Sequence, residues 1–64
     1  MKVFFKINNQ DDEKHLRQEL LNGGFGYKVL STNDSGQIIV ETPIIKGDDI
    51  EYLSQYYQID KIID

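Results

Sequence analysis

The chain has 64 residues, a net charge of -4 and no cysteine, which limits it to one domain and excludes disulfide bonds and thiolate metal sites. Hydrophobic residues make up 39% of it and charged residues 28%, a balance that is typical of a folded globular domain and excludes intrinsic disorder. Its apolar runs are far shorter than the roughly 20 residues of a transmembrane helix, and its start turns polar too soon for a signal peptide, so we expect a complete cytoplasmic protein with one domain over residues 1–64.

The N-terminal third predicts a strand and then a helix. Residues 2–7, KVFFKI, mix β-branched and aromatic side chains and end at two asparagines, which is typical of a strand that runs into a turn. Either Asn9 or Asp11 can cap a helix over residues 11–22, and the acidic first turn of that helix suits its dipole. The helix is predicted to end at the sequence Asn-Gly-Gly, because glycine accepts the left-handed conformation that closes helices.

The middle of the chain predicts a β-hairpin. Residues 27–32 (YKVLST) and 37–42 (QIIVET) have the composition of strands. The four residues between them, NDSG, favour a type I turn followed by a left-handed glycine. Pro43 then ends the second of these strands, because proline has no N–H to donate to a neighbouring strand.

The last third predicts a second helix and a final strand. Asp48 and Glu51 have the spacing of a capping box, with aspartate in the place of serine or threonine. Three apolar residues recur at the period of a helix: Ile50, Leu53 and Tyr57. Residues 59–64, IDKIID, change to β-branched residues and predict a short strand; the alternative is that this tail stays helical or frays and leaves a three-stranded sheet.

The resulting order, β-α-β-β-α-β, resembles the ferredoxin-like plan of a split βαβ unit. The resemblance covers the whole chain and concerns its architecture rather than a sequence motif. It implies an α+β domain with a four-stranded antiparallel sheet in the order 4-1-3-2 and with both helices on one face of that sheet.

Side-chain alternation along these strands predicts an apolar patch on the face of the sheet that lacks helices. Because strands direct successive side chains to opposite faces, this outer face collects one large apolar residue from each strand: Phe4, Leu30, Ile39 and Ile62. The same alternation places Ser31 and Ile63 on the helix side and Thr32 on the outer side. Since the chain has no further layer to cover the patch, we expect it to bind a partner protein or a second copy of the chain.

Acidic residues form a second candidate for partner binding. In the ferredoxin-like plan, the start of the first helix and the hairpin turn lie at one end of the sheet, which would bring together Asp11, Asp12 and Asp34. The start of the second helix would lie at the opposite end with its own acids: Asp48, Asp49 and Glu51. Such poles could bind a basic surface or imitate DNA phosphates, and each acid could equally cap a helix or shape a turn.

The sequence offers no group of residues for catalysis or for a cofactor. Its single histidine, His15, lies within the first predicted helix without a marked nucleophile or orienting acid. Histidine and cysteine clusters for transition metals are missing, and the acidic segments lack the spacing of a calcium loop. We therefore expect neither an enzyme nor a metal or cofactor site.

The sheet also resembles that of RNA-recognition domains, which share the βαββαβ order and stack bases on aromatic side chains. The residues that carry this resemblance are Phe4, Lys2, Lys6 and Lys28. It implies that RNA or single-stranded DNA would bind across the sheet. The net charge of -4 opposes contact with a phosphate backbone, and Ile39 stands where a second stacking aromatic would be needed.

These features predict a small, acidic, non-catalytic interaction protein. We expect it to act as an inhibitor or adaptor on a larger protein with a basic surface, and the sheet could also support a homodimer. In size and composition it is similar to the small acidic proteins that phages and mobile elements encode to block host machinery. The alternatives are a DNA mimic that occupies a basic groove and an RNA- or single-stranded-DNA-binding module; we expect no membrane partner.

Overall fold

The computed structural model describes residues 1–32, 37–43 and 46–64. Within these residues the elements are, in order, β1 (Lys2–Ile7), α1 (Gln10–Asn22), β2 (Lys28–Thr32), β3 (Ile38–Pro43), α2 (Gly47–Ser54) and β4 (Gln58–Ile63). The strands form one sheet in the order β2-β3-β1-β4, and each neighbouring pair is antiparallel. This is the predicted 4-1-3-2 order read from the other edge, so the α+β ferredoxin-like fold is confirmed, including the final strand. Across the described ranges, neither helix is long and apolar enough to cross a membrane.

One face of the sheet carries the hydrophobic core. Val3, Phe5 and Ile7 alternate along β1, and each is almost completely buried. They pack with buried residues of both helices and of the neighbouring strand: Leu16, Leu20, Leu53 and Val40. Both helices therefore lie on this face, as predicted, because the apolar stripe of a short helix is stable only when another layer covers it.

The ends of α1 follow from local hydrogen bonds. The side chain of Asn9 accepts a hydrogen bond of 2.8 Å from the backbone N–H of Asp12, so Asn9 rather than Asp11 is the N-cap. At the other end Gly24 has a φ of 79°, and its N–H donates to the carbonyl of Leu21 at 3.1 Å. This left-handed residue closes the helix, as the glycine pair predicts.

The second helix differs from the prediction in its cap and in its last residues. It begins at Gly47, and its N-cap, Lys46, makes no side-chain capping bond. Asp48 therefore lies inside the first turn, where it suits the helix dipole, and the predicted capping box with Glu51 is wrong. Tyr57 lies beyond the last helical residue, yet it packs against the core, with its ring edge-on to that of Phe5 at 6.4 Å.

A bulge in β4 changes which of its residues face the helices. Phe4 pairs with Lys61, but the next residue of β1, Phe5, pairs with Ile59, so Asp60 is an extra residue in β4. Beyond the bulge, Ile62 pairs with buried Val3, and Ile63 pairs with Lys2. Directly paired residues share a face, so the predictions that Ile62 faces outward and Ile63 inward are both wrong.

A second bulge has the same effect in β2. Val29 pairs with buried Val40, whereas the next pair is Ser31 with Ile39, and Leu30 is the extra residue. Thr32 then pairs with Ile38, which packs against the core, so Thr32 takes a helix-side position. The predicted outward placement of Thr32 is therefore wrong, since regular alternation does not continue through a bulge. The predicted inward placement of the Ser31 side chain lies outside what the structure describes. The predicted turn over residues 33–36 lies outside the described residues.

Candidate functional site

The outer face of the sheet, which we call the lysine face, carries mainly charged side chains: Lys2, Lys6, Lys28, Glu41, Asp60 and Lys61 around Phe4. Its central row runs across all four strands, with Lys28 opposite Glu41, Glu41 opposite Phe4, and Phe4 opposite Lys61. The ammonium of Lys61 lies 4.8 Å from the centroid of the Phe4 ring, within range of a cation–π interaction.

The predicted apolar patch is not open on this face. Phe4 is only 8% exposed, because long lysine side chains cover apolar surface with their aliphatic stems. Ile62 takes a helix-side position, and Ile39 is half-buried. Leu30 and Ile62 are 42% and 46% exposed, but Ile62 belongs to the other side of the sheet, so of the four predicted residues Leu30 alone is not covered, half-buried or turned to the helix side.

Two ion pairs hold four of the six charged side chains of the lysine face. The ammonium of Lys2 lies 3.5 Å from a carboxylate oxygen of Glu41, and that of Lys6 lies 3.3 Å from Asp60. Exposed pairs of this kind each stabilise a fold by roughly 0.2–1 kcal/mol. The face has a net positive charge, because its strands carry four lysines and two acidic residues.

The two helices, which we call the helix layer, have the opposite charge. Together α1 and α2 contain seven acidic and two basic residues. Their net charge is thus -5, against +2 for the strands. The lysine face therefore has an excess of positive charge, and the helix layer has an excess of negative charge.

The helix starts lie at opposite ends of the sheet, as predicted for the acidic poles. The first follows Ile7, which pairs with Ile38, whereas the second follows Pro43, which pairs with Lys2 at the other end of β1. Asp11 and Asp12 are exposed in the first turn of α1, and Asp12 also accepts a hydrogen bond of 3.2 Å from Asn9. Asp34, the third member of that predicted cluster, lies outside the described residues.

A partly buried ion pair stabilises α1 beside this pole. Arg17 donates to both carboxylate oxygens of Glu13, at 2.9 and 2.7 Å, and Glu13 is only 8% exposed. Hydrogen bonding to Glu13, together with its charge, raises the pKa of the Arg17 guanidinium. The pair follows the i, i+4 spacing that favours such contacts on a helix.

A cavity of about 560 Å³ lies between α1 and the strands β2 and β3. Its volume falls within the range of small-molecule sites, but such sites have mainly apolar walls. Most of the lining here is polar or charged, and the walls include both members of the Glu13–Arg17 pair. As far as the described residues show, this lining differs from the apolar walls of a typical small-molecule site, and its arginine is already paired with Glu13.

A smaller hollow of about 230 Å³ lies between the helices, and we call it the tyrosine hollow: Glu19, Tyr52, Tyr56 and Tyr57. The rings of Tyr52 and Tyr56 contact each other at a centroid distance of 5.4 Å. They are 49% and 65% exposed. Tyrosine is enriched at the centres of protein interfaces. Sequence reasoning missed this site, although the i, i+4 spacing of Tyr52 and Tyr56 beside the apolar face of α2 was the available signal.

The electrostatics of the tyrosine hollow are negative. Burial raises the pKa of the Tyr57 hydroxyl, and the nearby carboxylates of Glu19 and Asp12 raise it further, with a smaller contribution from Tyr52. Each of these carboxylates disfavours a second negative charge in its neighbourhood. A cation placed in the hollow would be stabilised for the same reason.

The described residues hold no group of three His, Cys, Asp or Glu side chains that could bind a metal ion. His15 is exposed on α1.

Comparison of the chain with protein-family models, with curated proteins and with solved structures finds no match. A function is therefore inferred from the chemistry of the lysine face and of the helix layer.

Proposed function

We propose that this chain is a small non-catalytic protein that binds a basic surface of a larger cytoplasmic protein through its helix layer, as an inhibitor or adaptor. The separation of charge between the two faces carries the proposal, with a net charge of -5 on the helices. A surface of one sign attracts a partner of the other sign and orients it during encounter. Exposed aromatic side chains on the same layer, Tyr52 and Tyr56, add apolar contact area.

Two pairs of exposed charges allow a matched test of this proposal. Asp48→Asn with Glu51→Gln removes two charges from the helix layer, and Lys2→Gln with Lys28→Gln removes two from the lysine face; all four residues are exposed. The wild type and both variants, immobilised, are used to capture proteins from cells of the source organism, and the captured proteins are quantified by mass spectrometry. Circular dichroism establishes first that both variants are folded.

We expect the helix-layer variant to lose a basic partner that the lysine-face variant retains. Two rim charges contribute on the order of 1 kcal/mol to binding, or roughly a fivefold change in affinity. Higher salt should weaken the wild-type complex further, because charges more than about 8 Å apart are screened at physiological ionic strength. Loss of the partner in the lysine-face variant alone would refute the proposal.

A DNA mimic is a narrower form of the same proposal. The observation that favours it is the pair of acidic helix starts at opposite ends of the sheet, including Asp11 and Asp12. A mimic would occupy the nucleic-acid site of its partner, so the protein should displace DNA from that partner in a competition assay. Binding of the partner and DNA at the same time would exclude the mimic and leave the adaptor.

Binding of RNA or single-stranded DNA is the second candidate. The lysine face favours it, since four lysines lie around an aromatic ring. The burial of Phe4 beneath Lys61 opposes it, because a base needs an accessible ring to stack on. We expect no change in fluorescence anisotropy when the protein is added to a labelled oligonucleotide; binding that the Lys2→Gln/Lys28→Gln variant loses would favour the RNA function instead.

A further inference from the structure

The tyrosine hollow combines a carboxylate with aromatic rings in an acidic layer. Among the described residues, the Glu19 side chain has no ion-pair partner. The hollow measures about 230 Å³, which is below the roughly 300–1,000 Å³ of sites for drug-sized ligands. A single side chain of a partner is therefore a better match for its size than a free metabolite.

From this lining we infer that the tyrosine hollow receives an arginine side chain of the basic partner. The inference rests on the proposed function and adds the chemistry of its central contact. A guanidinium is planar, so it can stack on a tyrosine ring while it donates two parallel hydrogen bonds to one carboxylate. A lysine ammonium lacks both of these features, and an anion would be repelled by the helix layer.

The same combination of groups already occurs within this chain. The guanidinium of Arg17 binds both oxygens of Glu13, and its central carbon lies 5.9 Å from the centroid of the Tyr27 ring. In the tyrosine hollow, Glu19 and Tyr52 supply the carboxylate and the ring from this chain. The partner would supply the arginine.

The test uses the full chain and the blocked peptide Gly-Gly-Arg-Gly-Gly as the probe. A matched peptide replaces arginine with citrulline, which keeps the shape and removes the charge, and a third peptide carries lysine. Two-dimensional NMR titrations follow the signals of Glu19, Tyr52 and Tyr56. We expect saturable shifts with millimolar affinity for the arginine peptide and at least fivefold weaker binding of the other two.

Two variants of the hollow and one control variant locate the binding. Glu19→Gln should weaken binding of the arginine peptide at least threefold, whereas Asp64→Asn, which removes an exposed acid outside the hollow and outside both helices, should leave the affinity within a factor of about 1.5. Tyr52→Ala tests the ring contact on a half-exposed side chain, where folding is expected to be retained. Equal binding of the citrulline or lysine peptide, or equal effects of the two acid variants, would overturn the inference.

The peptide titration and the capture experiment together distinguish failure of the arginine site from failure of the proposed function. If the arginine peptide does not bind but the Asp48→Asn/Glu51→Gln variant still loses the captured partner, the helix layer is the docking face and the arginine site is wrong. If the peptide binds at the hollow but the captured partner depends only on Lys2 and Lys28, the arginine site stands and the proposed function is wrong.

Discussion

Replacing Phe4 with alanine should destabilise the fold strongly, although the residue lies on the outer face. Phe4 is 8% exposed, and burial of a whole phenylalanine side chain contributes about 1.5–3 kcal/mol. Loss of the Lys61 cation–π contact adds about 0.5–1 kcal/mol. Substitutions of phenylalanine by alanine in closed cores cost about 3–5 kcal/mol, and this site can relax because a flexible lysine covers it. We therefore expect a loss of about 2–3 kcal/mol.

That loss is large for a chain of this size, whose total stability we expect to be roughly 3–5 kcal/mol. Urea denaturation followed by circular dichroism measures this loss, and with a slope near 1 kcal/mol per molar the midpoint should fall by about 2–3 M. Two controls separate the contributions. Lys61→Met keeps a stem over the ring and should cost less than about 1 kcal/mol, and Leu30→Ala, at an exposed position, should cost less than about 0.5 kcal/mol.

A loss below about 1 kcal/mol for Phe4→Ala would refute this reasoning. The ring would then not be part of the packed structure, and the lysines would not cover it in solution. In that case the outer face would again qualify as an open apolar interface for a partner or a second copy.

Two further predictions concern the helix layer. Asn9→Ala should lower the free energy of unfolding by about 1 kcal/mol, because the N–H of Asp12 loses its acceptor. Asn9→Asp retains a side-chain acceptor and should keep most of this stabilisation. Equal losses for the two variants in urea denaturation would contradict the prediction. The raised pKa of Tyr57 means that the folded state holds this proton more tightly than the unfolded state, whose pKa is near 10.0. Its contribution to stability is present below that pH and is lost as the pH rises through the folded pKa. Tyr57→Phe should therefore show a smaller alkaline loss of stability than the wild type, and an identical loss in urea denaturation at high pH would contradict the assignment.

The final strand shows how far the sequence predicts the fold. Its β-branched composition predicts a strand beside β1, and the structure confirms it as Gln58–Ile63. The side-chain directions beyond Asp60 could not be predicted, because the sequence has no glycine or other signal of a bulge at that point. A single extra residue then exchanges the faces of Ile62 and Ile63, although the strand itself is predicted correctly.

The candidate sites depend on contacts that sequence patterns do not encode. Phe4 is correctly placed on the outer face, but its burial depends on where Lys61 extends from a strand distant in sequence. The tyrosine hollow requires Glu19 of α1 to lie near α2 and the residues that follow it. Periodicity within one helix predicts its apolar face but not the distance to another helix, so the aromatic pair was visible in the sequence and the hollow was not.

The bulges at Leu30 and Asp60 both lie on strands at the edges of the sheet. A regular edge strand offers a row of unpaired N–H and C=O groups to which an extended peptide can add, whereas a bulge breaks the spacing of that row and twists the edge away. A ligand that adds a strand through its own backbone therefore meets an irregular template at either edge. Recognition of this protein should depend on the identity of the partner's side chains, and extended peptides designed only for backbone pairing should make poor ligands for it.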